Sequence, residues 1–212
     1  MQIDIRILEL LTSKICHDLV SPVGAINNGV ELIEDVGGSV VDEAMKLIGD
    51  SATQASRRLR LFRLAYGRAG SEGNLTFKDM AETIAAHFDG TKIKLNFAPD
   101  LSVAGLAERH GALKVILNLI LLADEALPYG GEIKIGKGSG AFEAGTVITA
   151  IGRAAGLAPA SAAALDGAVA VDEIAPRTVH AYVTGKFMAH FGFKSAIEAS
   201  QAEQIAFLFV PQ

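Results

Sequence analysis

The sequence predicts an α+β fold, a long helical hairpin followed by a sheet with segregated helices. Three observations carry the prediction. Apolar residues recur at steps of three and four through the first 70 positions, and from residue 73 onward short alternating runs appear between helical stretches. Glycine pairs at Gly37-Gly38 and Gly130-Gly131 punctuate both parts. Mixed strands with grouped helices indicate an α/β sandwich in the second part.

The first helix is marked by Leu8, Leu11, Ile15, Leu19, Val23, Ile26, Val30 and Ile33, and Gly37-Gly38-Ser39 ends it. A second stripe, Val41, Ala44, Ile48, Ala52, Ala55, Leu59, Phe62 and Tyr66, runs to Gly67 and Gly70. Two long helices joined by a short loop form an antiparallel hairpin with more apolar face than one hairpin covers. Either two copies pair into a four-helix bundle, which the stripe's length favours, or the second half of the chain covers that face.

Residues 76–88 read as a helix with Thr76 and Asp79 at its start, and 92–98 as a strand. A strongly apolar helix follows over 109–127, stopped by Pro128 and the glycine pair. Segments 132–138 and 146–152 read as a strand pair joined by the short loop GSGAFEAG. The alanine-rich stretch 157–170 is ambiguous, 177–192 is a helix, and KSAIEAS and QIAFLFV close the chain as strands. The expected units are residues 1–70 and 73–212.

Composition narrows the function. The 212 residues are half hydrophobic, with a net charge of −5, so non-specific nucleic-acid binding is not expected. A single cysteine, Cys16, excludes an internal disulfide and reads as a small apolar filler in a reducing compartment. No apolar run reaches the ~18 residues of a membrane span, and no secretory leader is recognised, so a cytoplasmic protein is expected.

One stretch, KICHDLVSPVGAINNGVELI, combines unusual features. His17 precedes Asp18, and Pro22 sits inside the helical pattern, where it costs about 3 kcal/mol. Each helical residue turns by about 100°, which places His17 roughly 200° from the core position Ile15. It therefore faces outward, with Ser13, Lys14, Val20 and Ser21 as neighbours three and four residues away. An adjacent carboxylate fixes an imidazole's tautomer and sharpens the other nitrogen as a nucleophile. No second histidine or cysteine nearby supplies a metal site.

HDLVSP on the first helix of a hairpin resembles the H-box of two-component histidine kinases. The resemblance implies that His17 carries a phosphoryl group, that Asp18 acts beside it in acid–base chemistry, and that the hairpin dimerises. Ser21 sits where that family often positions water for the reverse, phosphatase reaction. The second half then resembles a kinase (Bergerat-type) sandwich in outline only. LNLILLADEALPYGGEI resembles the kinase N-box, with Asn118, Pro128, Gly130 and Gly131 in register. The magnesium-binding asparagine is Leu122 here, the lysine is Glu125, and only Gly152 remains of the adenine-reading motif, with Ala150 in place of its aspartate. The segment 177–180 has no glycine to admit a triphosphate, and GKGSG (136–140) reads as a plain hairpin loop. No nucleotide contacts and no metal ligands are expected.

A kinase-like hairpin with its histidine intact, joined to a sandwich without ATP contacts, is similar to the alphaproteobacterial ChpT-type histidine phosphotransferases along essentially the whole chain. RLFRLAYG at 60–67 adds to the resemblance. It implies phosphoryl transfer from the receiver domain of a hybrid histidine kinase to response-regulator aspartates, on a CtrA-type cell-cycle regulator and on a single-domain regulator. The partner receiver would supply its own magnesium. Docking is expected on the outward face of helix 1 and the basic part of helix 2, through Lys14, Val20, Ser21, Asn28 and Arg63. For any single arginine a solvated helix face is the simpler reading. The alternatives are an ATP-dependent kinase, a response-regulator phosphatase and a non-catalytic docking adaptor.

Overall fold

In the computed structural model, which describes residues 4–70, 75–98, 109–138, 145–201 and 203–211, the periodic apolar stripes become two long helices. Helix α1 spans Ile5–Val36, and the Asp4 side chain caps it by accepting from the Arg6 amide at 2.9 Å. It runs unbroken through Pro22, which is buried. Gly37 and Gly38, at φ +58° and +56°, turn the chain where a Cβ is disfavoured, and α2 follows over Val41–Ala65. At Gly29 a Cβ would stand 2.6 Å from Ile48 Cγ1, so glycine sets how closely the two helices approach.

Helix α3 (Phe77–Phe88) opens on a capping box in which Thr76 and Asp79 satisfy each other's backbone amides. Strand β1 (Ile93–Phe97) leads toward α4 (Ala112–Glu125), whose first twelve residues are all buried. Strands β2 (Gly131–Lys137) and β3 (Thr146–Ile151), the short helix α5 (Pro159–Leu165), α6 (Val179–Phe191), β4 (Phe193–Gln201) and β5 (Gln204–Pro211) complete the chain. The sheet order is β1-β2-β3-β5-β4; β1 and β2 are parallel and the other pairs antiparallel. The alternation in β2 and β3 sends Ile133, Ile135, Ile148 and Ala150 into the same core as α4. The expected loop GSGAFEAG falls largely on residues 139–144, and the junction expected near 73 on 71–74, both outside the described residues.

The sheet and the hairpin share one core. Ile7, Leu10 and Leu11 of α1 and Leu61, Leu64 and Ala65 of α2 join the cluster that surrounds α4. Polar contacts reinforce this junction at the end of α2, whose last carbonyls have no partners within the helix. Asn118 Nδ2 donates to Ala65 O at 2.9 Å, and Lys114 Nζ donates to Tyr66 O at 3.3 Å and Gly67 O at 2.9 Å. The Lys114 ammonium also lies 4.1 Å from the centre of the Phe187 ring, and burial lowers its pKa to about 8. A cation at a helix C-terminus also suits the helix dipole. The asparagine in register with the kinase-like motif therefore caps a helix here.

Candidate functional site

His17 projects from the middle of α1 with 89% of its side chain exposed, and its Nδ1 is 3.3 Å from Asp18 Oδ1. With the proton on Nδ1, the ring donates to that carboxylate, and the Nε2 lone pair is left for an electrophile. Val20, Ser21, Asn27 and Asn28 are exposed along the same helix. Cys16 is exposed as well, which corrects its reading as an apolar filler: its place on the helix turns it away from α2.

Beside Asp18 lies a cleft of about 770 Å³ between the hairpin, the turn after α3 and the ends of α4 and α6. Its walls carry both signs of charge. Arg57 Nη2 bonds Asp89 Oδ2 at 2.9 Å, and Arg58 Nη1 donates to the Asp18 backbone carbonyl. His87 is lowered below its ordinary pKa by burial and by the Arg58 charge, which the Asp18 charge partly offsets.

At the far wall, Glu125 Oε1 accepts from Lys14 Nζ at 3.3 Å and from His180 Nδ1 at 3.0 Å. Burial works to raise Glu125, but the His180 bond and the charges of His180 and Lys14 outweigh it and hold the carboxyl below its ordinary value. Asp124 next to it is pushed up to about 6, first by burial and then by the Glu125 charge. Tyr66, edge-on to the His180 ring at 5.9 Å, is raised by burial, then by Glu125 and Asp18. His180 is itself buried, and its Nε2 has no hydrogen-bond partner among the described residues.

The structure thus places Lys14 in an ion pair that ties α1 to α4, rather than free on the outward face where docking was expected. Arg63 borders a different hollow, shared with Arg60 and the α3 residues Asp79, Glu82 and Thr83. The arginine that meets the His17 turn is Arg58, and a sequence signal for it existed. A hairpin folded about Gly38 sets residue 18 opposite residue 58, and Pro22 deprives the Asp18 carbonyl of its amide. Tyr66 packs against the core as expected, whereas Phe62 stacks on the Tyr66 ring at 5.9 Å without joining that cluster, and both line the cleft. Among the described residues no group of three or more His, Cys, Asp or Glu could hold a metal ion.

At the kinase-like positions, Leu122 and Ala150 are fully buried in the core. Gly152 has a packing reason to be glycine, since a Cβ there would meet Gly130 O at 2.6 Å.

Residues 77–203 match the family model of the histidine phosphotransferase C-terminal domain. The protein phosphotransferase ChpT of Brucella abortus (strain 2308) is 36% identical over 200 residues, 93% of this chain and 92% of that protein. The chain belongs to the ChpT-type histidine phosphotransferases. A solved structure of a bacterial phosphotransferase superposes with a TM-score of 0.78 at 32% identity, covering 99% of this chain and 98% of the other. The family places the chain in a phosphorelay as a histidine phosphotransferase. No described helix is long and apolar enough to cross a membrane.

Proposed function

We propose that His17 accepts a phosphoryl group from the aspartyl phosphate of a hybrid kinase's receiver domain and returns it to response-regulator aspartates, with no use of ATP. The open imidazole, braced at Nδ1 by Asp18, is the observation that carries this reading. Nε2 attacks phosphorus, the bond from phosphorus to the acyl oxygen breaks, and the receiver's carboxylate leaves with the electron pair. The imidazolium so formed keeps its Nδ1 proton against Asp18. Return transfer reverses each step. Such loose, in-line transfers depend on positioning and charge neutralisation, and the receiver's own magnesium supplies much of the latter.

Two further parts of the reading have their own support. The absence of ATP chemistry rests on Leu122 and Glu125, the first buried in hydrocarbon and the second engaged by Lys14 and His180. Homodimerisation rests on the open part of the hairpin stripes, where Leu8, Val23, Val30 and Leu59 are 43–55% exposed.

The test charges a purified receiver with acetyl phosphate, mixes it with the protein and follows intact mass. His17→Gln and an ATP-only incubation run in parallel. Label on the wild type alone, with none from ATP, is the expected result. Label from ATP overturns the reading in favour of a kinase. Loss of phosphate from the receiver with no label on this protein overturns it in favour of a phosphatase.

A further inference from the structure

Pro22 creates a vacancy in the helix one turn after the reactive pair. In an α-helix the Asp18 carbonyl accepts from the amide of residue 22; proline has no such hydrogen, and a proline ring crowds the carbonyl four residues before it. The bond is replaced from the other helix. Arg58 Nη1, 40 residues on, donates to the Asp18 carbonyl and closes the gap with a charge-assisted contact. The surroundings of the contact group the same residues. Arg58 and Asp18 both line the cleft, and the charges of both bear on His87 there.

We propose that Arg58 is a positioning residue for phosphoryl transfer, holding the carbonyl that Pro22 frees and so fixing the turn that presents His17 and Asp18. The inference rests on the phosphotransfer reading of His17. Without the guanidinium, the turn loses its lateral tie, and the imidazole samples angles away from the in-line approach. A group that acts this way changes the rate of the chemical step and leaves receiver affinity alone. A surface arginine that only attracts an acidic receiver does the opposite.

The pairing with Pro22 supplies the decisive experiment. Pro22→Ala restores an amide to the Asp18 carbonyl and makes Arg58 redundant there. Single-turnover transfer from a phosphorylated receiver is measured for wild type, Arg58→Ala, Pro22→Ala and the double variant, with maximal rate and half-saturating receiver concentration fitted separately. Arg58→Ala is expected to lower the maximal rate about tenfold, because small misplacements of a reacting group are costly, with half-saturation unchanged. In the Pro22→Ala background the same change is expected to cost less than about threefold, the coupling that marks two residues acting through one contact.

An equal loss in both backgrounds overturns the proposal, as does a change confined to half-saturation, or no change at all. A second readout covers failure of the functional reading itself. Proton–nitrogen spectra of the His17 ring should shift on Arg58→Ala and not on Arg58→Ala in the Pro22→Ala background. If the wild type never takes up label, the phosphotransfer reading falls, while these spectra still decide whether Arg58 positions the ring. Unshifted spectra in both backgrounds overturn the proposal.

Discussion

The turn of α1 around His17 and the length of α4 around Leu122 carry the two kinase-like motifs of this chain, and they meet solvent in opposite ways. His17 has 89% of its side chain in water, whereas Leu122 and Asn118 are completely enclosed. The turn around His17 is tied by polar contacts, from the Asp18 carboxylate to the ring and from Arg58 of α2 to the Asp18 carbonyl. The α4 helix is held by hydrocarbon on every side, and its polar residues Lys114 and Asn118 brace the end of α2. On the proposed reading His17 meets its substrate on the surface of another protein, which an open ring allows. The sheet and its helices pack against the hairpin in one shared core.

Changes at either end of the comparison separate the two roles. The largest expected effect is His17→Gln, which should abolish phosphoryl uptake by intact mass while leaving the thermal unfolding temperature within a few degrees of wild type, since the ring buries little surface. Leu122→Asn, which restores the kinase-like residue, should destabilise the fold by about 3 kcal/mol in urea denaturation, because it places an amide in a filled core. It should create no nucleotide binding by calorimetry.

Lys114→Met should cost about 2 kcal/mol in the same assay, by stripping the donor from two carbonyls at the end of α2. Asp124 gives a pH signature. Its carboxyl is raised from 3.8 to about 6 in the fold, so the folded chain holds a proton that the unfolded chain has lost across that window. Stability linked to this group is full below pH 3.8 and is lost as pH rises through about 6, and Asp124→Asn should flatten that slope in unfolding measured at a series of pH values. The smallest effect is expected from Lys14→Ala, about 0.5 kcal/mol, because its ion pair with Glu125 is partly solvated on both sides.

Much of the fold was legible because periodicity is a strong signal over long elements. The stripes from Leu8 to Ile33 and from Val41 to Tyr66 correspond to α1 and α2, and every expected strand is present within a residue or two. The ambiguous alanine-rich stretch contains the short helix Pro159–Leu165, which proline at its first position explains. His17 and Asp18 were legible because their pairing is local in sequence. The cleft was not, since its walls come from α1, α2, the end of α3 with its following turn, α4 and α6, and periodicity says nothing of which ends converge. Glu125 read as a lost lysine; only the fold shows it gathering Lys14 and His180 onto one oxygen. Arg63 was named for docking within the basic run Arg57, Arg58, Arg60 and Arg63, which charge does not order, and the register of the hairpin brings Arg58 to the Asp18 carbonyl.

The proposed reaction delivers phosphate from another protein to one ring nitrogen of His17, open to solvent while Asp18 braces the other. Phosphorus and nitrogen NMR of the protein labelled at its histidines, after mixing with a phosphorylated receiver, tests it most directly. The expected result is a single phosphoramidate resonance coupled to Nε2 of His17, with Nδ1 still protonated against Asp18. A resonance coupled to Nδ1, one arising on another histidine, or one that appears only when ATP is supplied would contradict it.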